Sequence, residues 1–164
     1  MDAEKFTKKS LEVIERCEKL AYEYNNQELT QAHLMYALVT VEDSLIAKLL
    51  TNMGINMDAF TGECEKLVAN RPKVSGGQLF TSPEFSKALI QAEKEAKQMG
   101  DDYISVEHIF LGLLEKADKD IKRVINAYGI TRGKFLEVLA NIRGNRKVES
   151  DNPEDTYDAL NKYG

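Results

Sequence analysis

Thr30-Gln31-Ala32-His33-Leu34-Met35-Tyr36-Ala37-Leu38 and Ser105-Val106-Glu107-His108-Ile109-Phe110-Leu111-Gly112-Leu113 are one stretch written twice, 75 residues apart. Each opens on a hydroxyl residue, passes through two variable positions to a histidine, and continues as an almost wholly apolar turn and a half. A hydroxyl at a helix start accepts a hydrogen bond from an N–H of the first turn that would otherwise have no partner. The apolar run is too continuous for a surface helix, so each copy reads as the buried helix of its own unit. The histidine falls at the third helical position, from which it should bond back toward the cap as a capping-box glutamate does. Its recurrence in both copies points His33 and His108 toward a structural duty rather than a metal site, which would need further ligands nearby.

Working outward, the 75-residue offset pairs Ile14 with Leu89, Cys17 with Ala92, Tyr24 with Met99, Asp43 with Asp118, Gly54 with Gly129, Phe60 with Phe135 and Leu67 with Ile142. The expected fold is all-α: two tandem four-helix repeats, 5–69 and 83–143, joined by a linker at 70–82 and related by a pseudo-two-fold axis around one core. In the first helix Leu11, Ile14, Cys17, Ala21 and Tyr24 mark one face. Val13 and Leu20 lie off that stripe and predict a second apolar contact. Pro72, Ser75, Gly76 and Gly77 interrupt the periodicity, and Ser82-Pro83-Glu84 restarts it with proline at the first helical position. Cys17 and Cys64 fall on apolar faces, where a thiol behaves as a small hydrophobe.

After Ile142 the character changes. Arg143-Gly144-Asn145-Arg146-Lys147 is basic, and 148–152 reads as a polar linker. Asn152-Pro153-Glu154-Asp155 is a further helix start, and Tyr157, Leu160 and Tyr163 begin an apolar stripe. Residues 144–164 are therefore expected to be a linker and the beginning of another domain.

Composition narrows the function. A net charge of −5 argues against a nucleic-acid footprint, which wants a basic face. Without a long apolar run no membrane partner is expected. Two cysteines and no leader pattern suggest a cytoplasmic location. Neither a phosphate loop nor a dinucleotide fingerprint is present, so no nucleotide cofactor and no catalytic residue are expected. Asp101, Asp102 and Glu107 bracket the start of the second buried helix. They read either as acids favoured by the helix dipole or as an acidic rim beside an apolar groove.

The Thr-x-x-His-Leu-Met-x-Ala-Leu and Ser-x-Glu-His-Ile-Phe-Leu-Gly-Leu helices resemble those of the Clp N-terminal domain, which precedes the AAA+ motor of Clp/Hsp100 unfoldases. Asn25-Asn26-Gln27-Glu28, Arg71-Pro72-Lys73-Val74-Ser75-Gly76-Gly77 and the 152–164 segment are similar to the ClpB/Hsp100 disaggregase branch. The resemblance implies a tethered domain on a hexameric ring that captures unfolded or aggregated clients. It implies partnership with its own AAA+ domains and, through the full machine, with the DnaK chaperone system. ATP and magnesium would belong to the motor. It also ties Thr7, Asp101 and Glu107 to substrate handling. The relatives that read phosphoarginine carry a glutamate before both histidines; here Ala32 stands in copy one, which weakens the alternative of an adaptor-docking domain of a ClpC- or ClpA-type degradation machine. Val13, Leu20 and Leu111 are the remaining candidates, either as a client groove or as packing between the two repeats.

Overall fold

The computed structural model describes residues 2–154. Eight α-helices are present among them: α1 Lys8–Glu23, α2 Gln31–Thr40, α3 Leu45–Asn52, α4 Met57–Ala69, α5 Pro83–Gln98, α6 Val106–Glu115, α7 Lys119–Ala127 and α8 Arg132–Arg143. The all-α, doubled fold is as expected. Adding 75 carries both ends of α1 onto α5 and of α2 onto α6. Each helix has a local reason to begin where it does. Thr7, Ser44, Asn56, Ser82, Asp118 and Thr131 each accept a first-turn backbone N–H through the side chain. Asn25 and Gly100, also 75 apart, both take positive φ where α1 and α5 end. Asparagine and glycine tolerate that conformation best.

Two short parallel contacts were not legible in the helical pattern, and they fix the symmetry. Strand β1 (Glu28–Leu29) pairs with β2 (Phe80–Thr81), matching Leu29 to Thr81. Phe6 bridges Ile104 in the same sense. Adding 75 turns Phe6 into position 81 and Leu29 into position 104, so the two contacts are one contact seen twice. The backbone bonds repeat as well: Thr7 N–H donates to Ile104 O at 3.0 Å and Ser82 N–H to Leu29 O at 2.9 Å. In both, the segment leading into one repeat is held by the other.

The core is continuous across the axis. Leu34, Met35, Leu38, Ile46, Leu49, Leu50 and Phe60 from copy one join Ile109, Phe110, Leu113 and Phe135 from copy two in a single buried cluster. Phe60 meets Tyr128 edge-on at 5.2 Å across the two repeats, a favoured aromatic geometry. Gly112 lets α6 press against α5, because a Cβ there would collide with the backbone carbonyl of Ala88 and the amide of Ala92.

Two expectations are corrected. The buried face of α1 is Ser10, Val13, Cys17, Leu20 and Ala21, while Leu11 is 37% exposed. Cys17 and Ala21 lie on it as the periodicity predicts, but Ser10, Val13 and Leu20 complete it where the stripe places Leu11, Ile14 and Tyr24. Secondly, 148–152 does not behave as a free linker. Val148 is fully buried, and Asp102 N–H donates to Val148 O and Lys8 N–H to Asp151 O, both at 2.8 Å. Pro153 and Glu154 are helical, as the Asn-Pro signal predicts. The apolar stripe at Tyr157, Leu160 and Tyr163 lies outside the described residues.

Candidate functional site

Both histidines serve the helix starts. Thr30 N–H donates to His33 Nδ1 at 3.0 Å and Ser105 N–H to His108 Nδ1 at 2.9 Å, completing a capping box in each copy. With Nδ1 accepting, the ring proton sits on Nε2. In copy one Nε2 meets Asn26 Oδ1 at 2.8 Å, and Asn26 Nδ2 donates onward to Pro72 O at 3.1 Å. In copy two Nε2 meets Asp101 Oδ2 at 2.7 Å. Burial, and then the Arg71 charge, push His33 down to about 4.

The exchange of Asn26 for Asp101 brings a charge into the core. Burial by itself would raise the Asp101 carboxyl. Hydrogen bonds from His108, Arg143 and the Val148 N–H outweigh burial and hold the carboxyl at about 2. Arg143, 3% exposed, bonds Asp101 through Nη2, places Nη1 3.6 Å from Glu107 Oε2, and donates through Nε to Arg146 O. Charges removed from water need such partners. Glu107 is fully buried, yet neither carboxylate oxygen has a hydrogen-bond partner among the described residues. A polar atom left so in a folded protein calls for an explanation.

A second acid, Glu154, enters the same region, and its Oε1 is likewise without a hydrogen-bond partner among the described residues. This residue, 4% exposed, comes in from beyond α8 and seats its carboxylate between the starts of α1 and α6. Its Oε2 accepts from Thr7 Oγ1 at 2.8 Å and from Val106 N–H at 3.2 Å. Helix N-termini favour anions, but this cradle already contains Glu107. Burial, followed by the Glu107 charge, pushes Glu154 up to about 7.

The expected site residues therefore divide. Thr7, Asp101 and Glu107 come together around the segment from Val148 to Glu154. Val13, Leu20 and Leu111 do not join them. All three lie in the core with 0–2% exposure, so the packing reading applies and none lines a groove. The accessible apolar surface lies elsewhere. Val74 and Phe80 flank a cleft of about 180 Å³ completed by Asn26, Gln27, Glu28, Arg71 and Pro72. Of the two apolar residues at the end of the linker, Leu79 packs against the core and Phe80 stands half exposed, since β2 turns both of its residues outward. Missed too was the pair of Glu95 with Arg132, joined at 2.6 and 2.8 Å with Glu95 buried. A glutamate standing opposite Leu20 in the repeat was the available signal.

Cys17 and Cys64 are buried free thiols, as expected. Burial pushes both up, Cys64 to about 12. Among the described residues no group of three or more His, Cys, Asp or Glu is arranged to hold a metal, and no helix is long and apolar enough to cross a membrane.

A doubled, capped, buried histidine helix in an eight-helix fold with swapped leading strands defines a class. The profile of the Clp repeat (R) N-terminal domain family matches residues 5–128, and the chain belongs to that family. Within it, the chain is 41% identical over its whole length to the chaperone protein ClpB of Nitratidesulfovibrio vulgaris and 40% identical to that of Clostridium tetani. It spans about a fifth of the length of each, 20% in both cases. Among solved structures, the Hsp104 N-terminal domain of Candida albicans superposes with a TM-score of 0.80 at 20% identity, covering 91% of this chain and 98% of that one. The N-terminal domain of ClpD from Arabidopsis thaliana gives 0.62 at 19% identity, covering 84% and 96%.

Proposed function

We propose that this chain is the client-recognition domain of a cytoplasmic, ATP-dependent protein disaggregase. It binds unfolded or aggregated polypeptide weakly and presents it to an AAA+ ring to which it is tethered. The observation that carries the reading is the half-exposed apolar pair, Val74 at 43% and Phe80 at 51%, beside an open cleft. Among the described residues nothing covers them, and they sit where α4 hands over to α5. In this reading nucleotide and metal are the business of the ring, and cooperation with the DnaK system runs through the whole machine.

The energetics favour a loose grip. Each apolar client side chain that enters the cleft gains roughly 1.5–3 kcal/mol, while association costs about 4–15 kcal/mol. One domain therefore holds little, and several tethered copies raise the effective concentration. The test is to titrate the labelled chain with unfolded casein and follow amide shifts. Shifts should concentrate on Gln27, Arg71, Val74 and Phe80, and Phe80→Asp should abolish them. An even scatter of shifts, or none, would sink the reading.

A further inference from the structure

The segment that leads into each repeat is built twice, and only one of the two has an open edge. In copy one Phe80 N–H donates to Gln27 O at 3.0 Å and Ser82 N–H to Leu29 O at 2.9 Å, so these amides are spent on the β1 side. In a parallel ladder the residues between point their main-chain groups the other way. The N–H and C=O of Leu79 and Thr81 therefore face the far side of β2, and among the described residues neither amide has a partner. Subtracting 75 carries Leu79 and Thr81 onto Glu4 and Phe6. There the same two donors are used locally: Glu4 N–H reaches Asp2 Oδ1 at 3.0 Å and Phe6 N–H reaches Ala3 O at 3.2 Å. Copy two thus folds its edge away in the turn at Ala3–Lys5, and copy one leaves its edge in water. Phe80 and Thr81 are both exposed, so neither face of β2 is covered among the described residues. Phe80 stands beside Glu28 in the register, and both line the cleft with Val74.

A row of unpaired N–H and C=O groups is a template for another strand. We infer that the outer edge of β2, from Leu79 to Thr81, takes an extended polypeptide segment as a third strand, which packs alternate apolar side chains beside Phe80 at the rim of the cleft. For the source of such segments the inference rests on the client reading above, to which it adds the substrate class. Main-chain bonds give affinity without reading sequence, and the apolar rim favours an apolar side chain at every second position. The segments that fit are β-prone and free of proline, the same ones that pair with each other in aggregates. A segment interrupted by proline lacks a donor that the ladder needs.

The experiment uses the full chain and a blocked peptide of alternating Val and Thr between terminal lysines, followed by amide shifts and by amide exchange at saturation. The Leu79 and Thr81 amides should exchange about tenfold more slowly in the complex, while the Phe80 amide, already bonded to Gln27 O, changes little. Thr81→Pro removes the outward donor and leaves both bonds to the β1 side, a substitution that edge strands tolerate. It should weaken binding about three- to tenfold. Thr81→Val keeps the N–H and should bind as wild type does. Methylating every amide nitrogen of the peptide should abolish binding. If Thr81→Pro does not fold, amide protection in wild type and the methylated peptide decide. Shifts at Val74 and Phe80 without protection at Leu79 and Thr81, equal binding by Thr81→Pro and wild type, or undiminished binding of the methylated peptide overturns the edge and leaves the client reading standing. Protection by the peptide with no casein shifts instead overturns the client reading and leaves the edge in place.

Discussion

Copy one and copy two share their helix bounds almost residue for residue, yet one is built with neutral groups and the other with charges. Asn26, Ala32, Val68, Leu20 and Met57 in the first stand opposite Asp101, Glu107, Arg143, Glu95 and Arg132 in the second. An amide and a carboxylate satisfy the same histidine at nearly the same distance, 2.8 and 2.7 Å. The hydrogen-bond frame is therefore indifferent to charge. Burial is not indifferent, and the carboxylate brings Arg143 into the position where copy one has valine. Arg143 in turn grips the 146–154 strap through Arg146 O, while Asp101 grips it through Val148 N–H. Charge in copy two thus supports an attachment, whereas in copy one the Arg71–Val74 segment passes Asn26 on its way into the next repeat.

The largest test of that contrast is Arg143→Val. It leaves Asp101 and Glu107 buried without their cation and should cost about 3–5 kcal/mol in denaturant unfolding. Trimming its counterpart, Val68→Ala, should cost about 2 kcal/mol. The triple variant Asp101→Asn, Glu107→Ala, Arg143→Val rewrites copy two as copy one and should recover most of the loss. If the triple variant is as unstable as the single one, the two copies are not interchangeable frames.

Acid should loosen the copies in different windows. His33 is held down to about 4, below its ordinary 6.5. The unfolded chain therefore takes up the proton first, and stability is lost as pH falls from about 6.5 to about 4. The loss is at most about 3 kcal/mol, and His33→Gln should flatten it. Asp101, held at about 2 against 3.8, contributes stability above that range and loses it only as pH falls from about 3.8 to about 2. A melting-temperature profile in which His33→Gln leaves the loss between about pH 6.5 and about 4 unchanged would erase the distinction.

Helix contact differs as well. Gly112→Ala should cost about 1–3 kcal/mol through overpacking against α5, while Ala37→Gly at the equivalent position should cost about 1 kcal/mol through helix propensity. The smallest effect is local. Glu154 is raised to about 7 from 4.5, so protonation favours its buried seat. Docking should be full below about pH 4.5 and weaken as pH rises through about 7. Intrinsic-rate-corrected exchange at Val106 N–H should rise over that range, and Glu154→Gln should remove the rise.

Much of this was legible in the residues. The 75-residue offset, the caps, Gly54 and Gly129, and the role of both histidines follow from local chemistry that the sequence states directly. The full face of α1 did not, because polar Ser10 is buried beside Val13 and Leu20 while Leu11 is left exposed, an order that an apolar count cannot give. The strap did not either. One valine and one glutamate in a polar run carry no periodic signal, and their partners lie about 45 to 150 residues away. The charged cluster stood between these cases. Each member looks like a surface residue alone, and only alignment against Leu20, Met57 and Val68 marks it as interior.

The contact between Asp151 and Lys8 has a mechanical consequence. It holds residue 151 against the first turn of α1, so the described fold closes on its own beginning. Releasing residues 146–154 would free about nine residues of chain, which at about 3.3–3.6 Å each span roughly 30 Å.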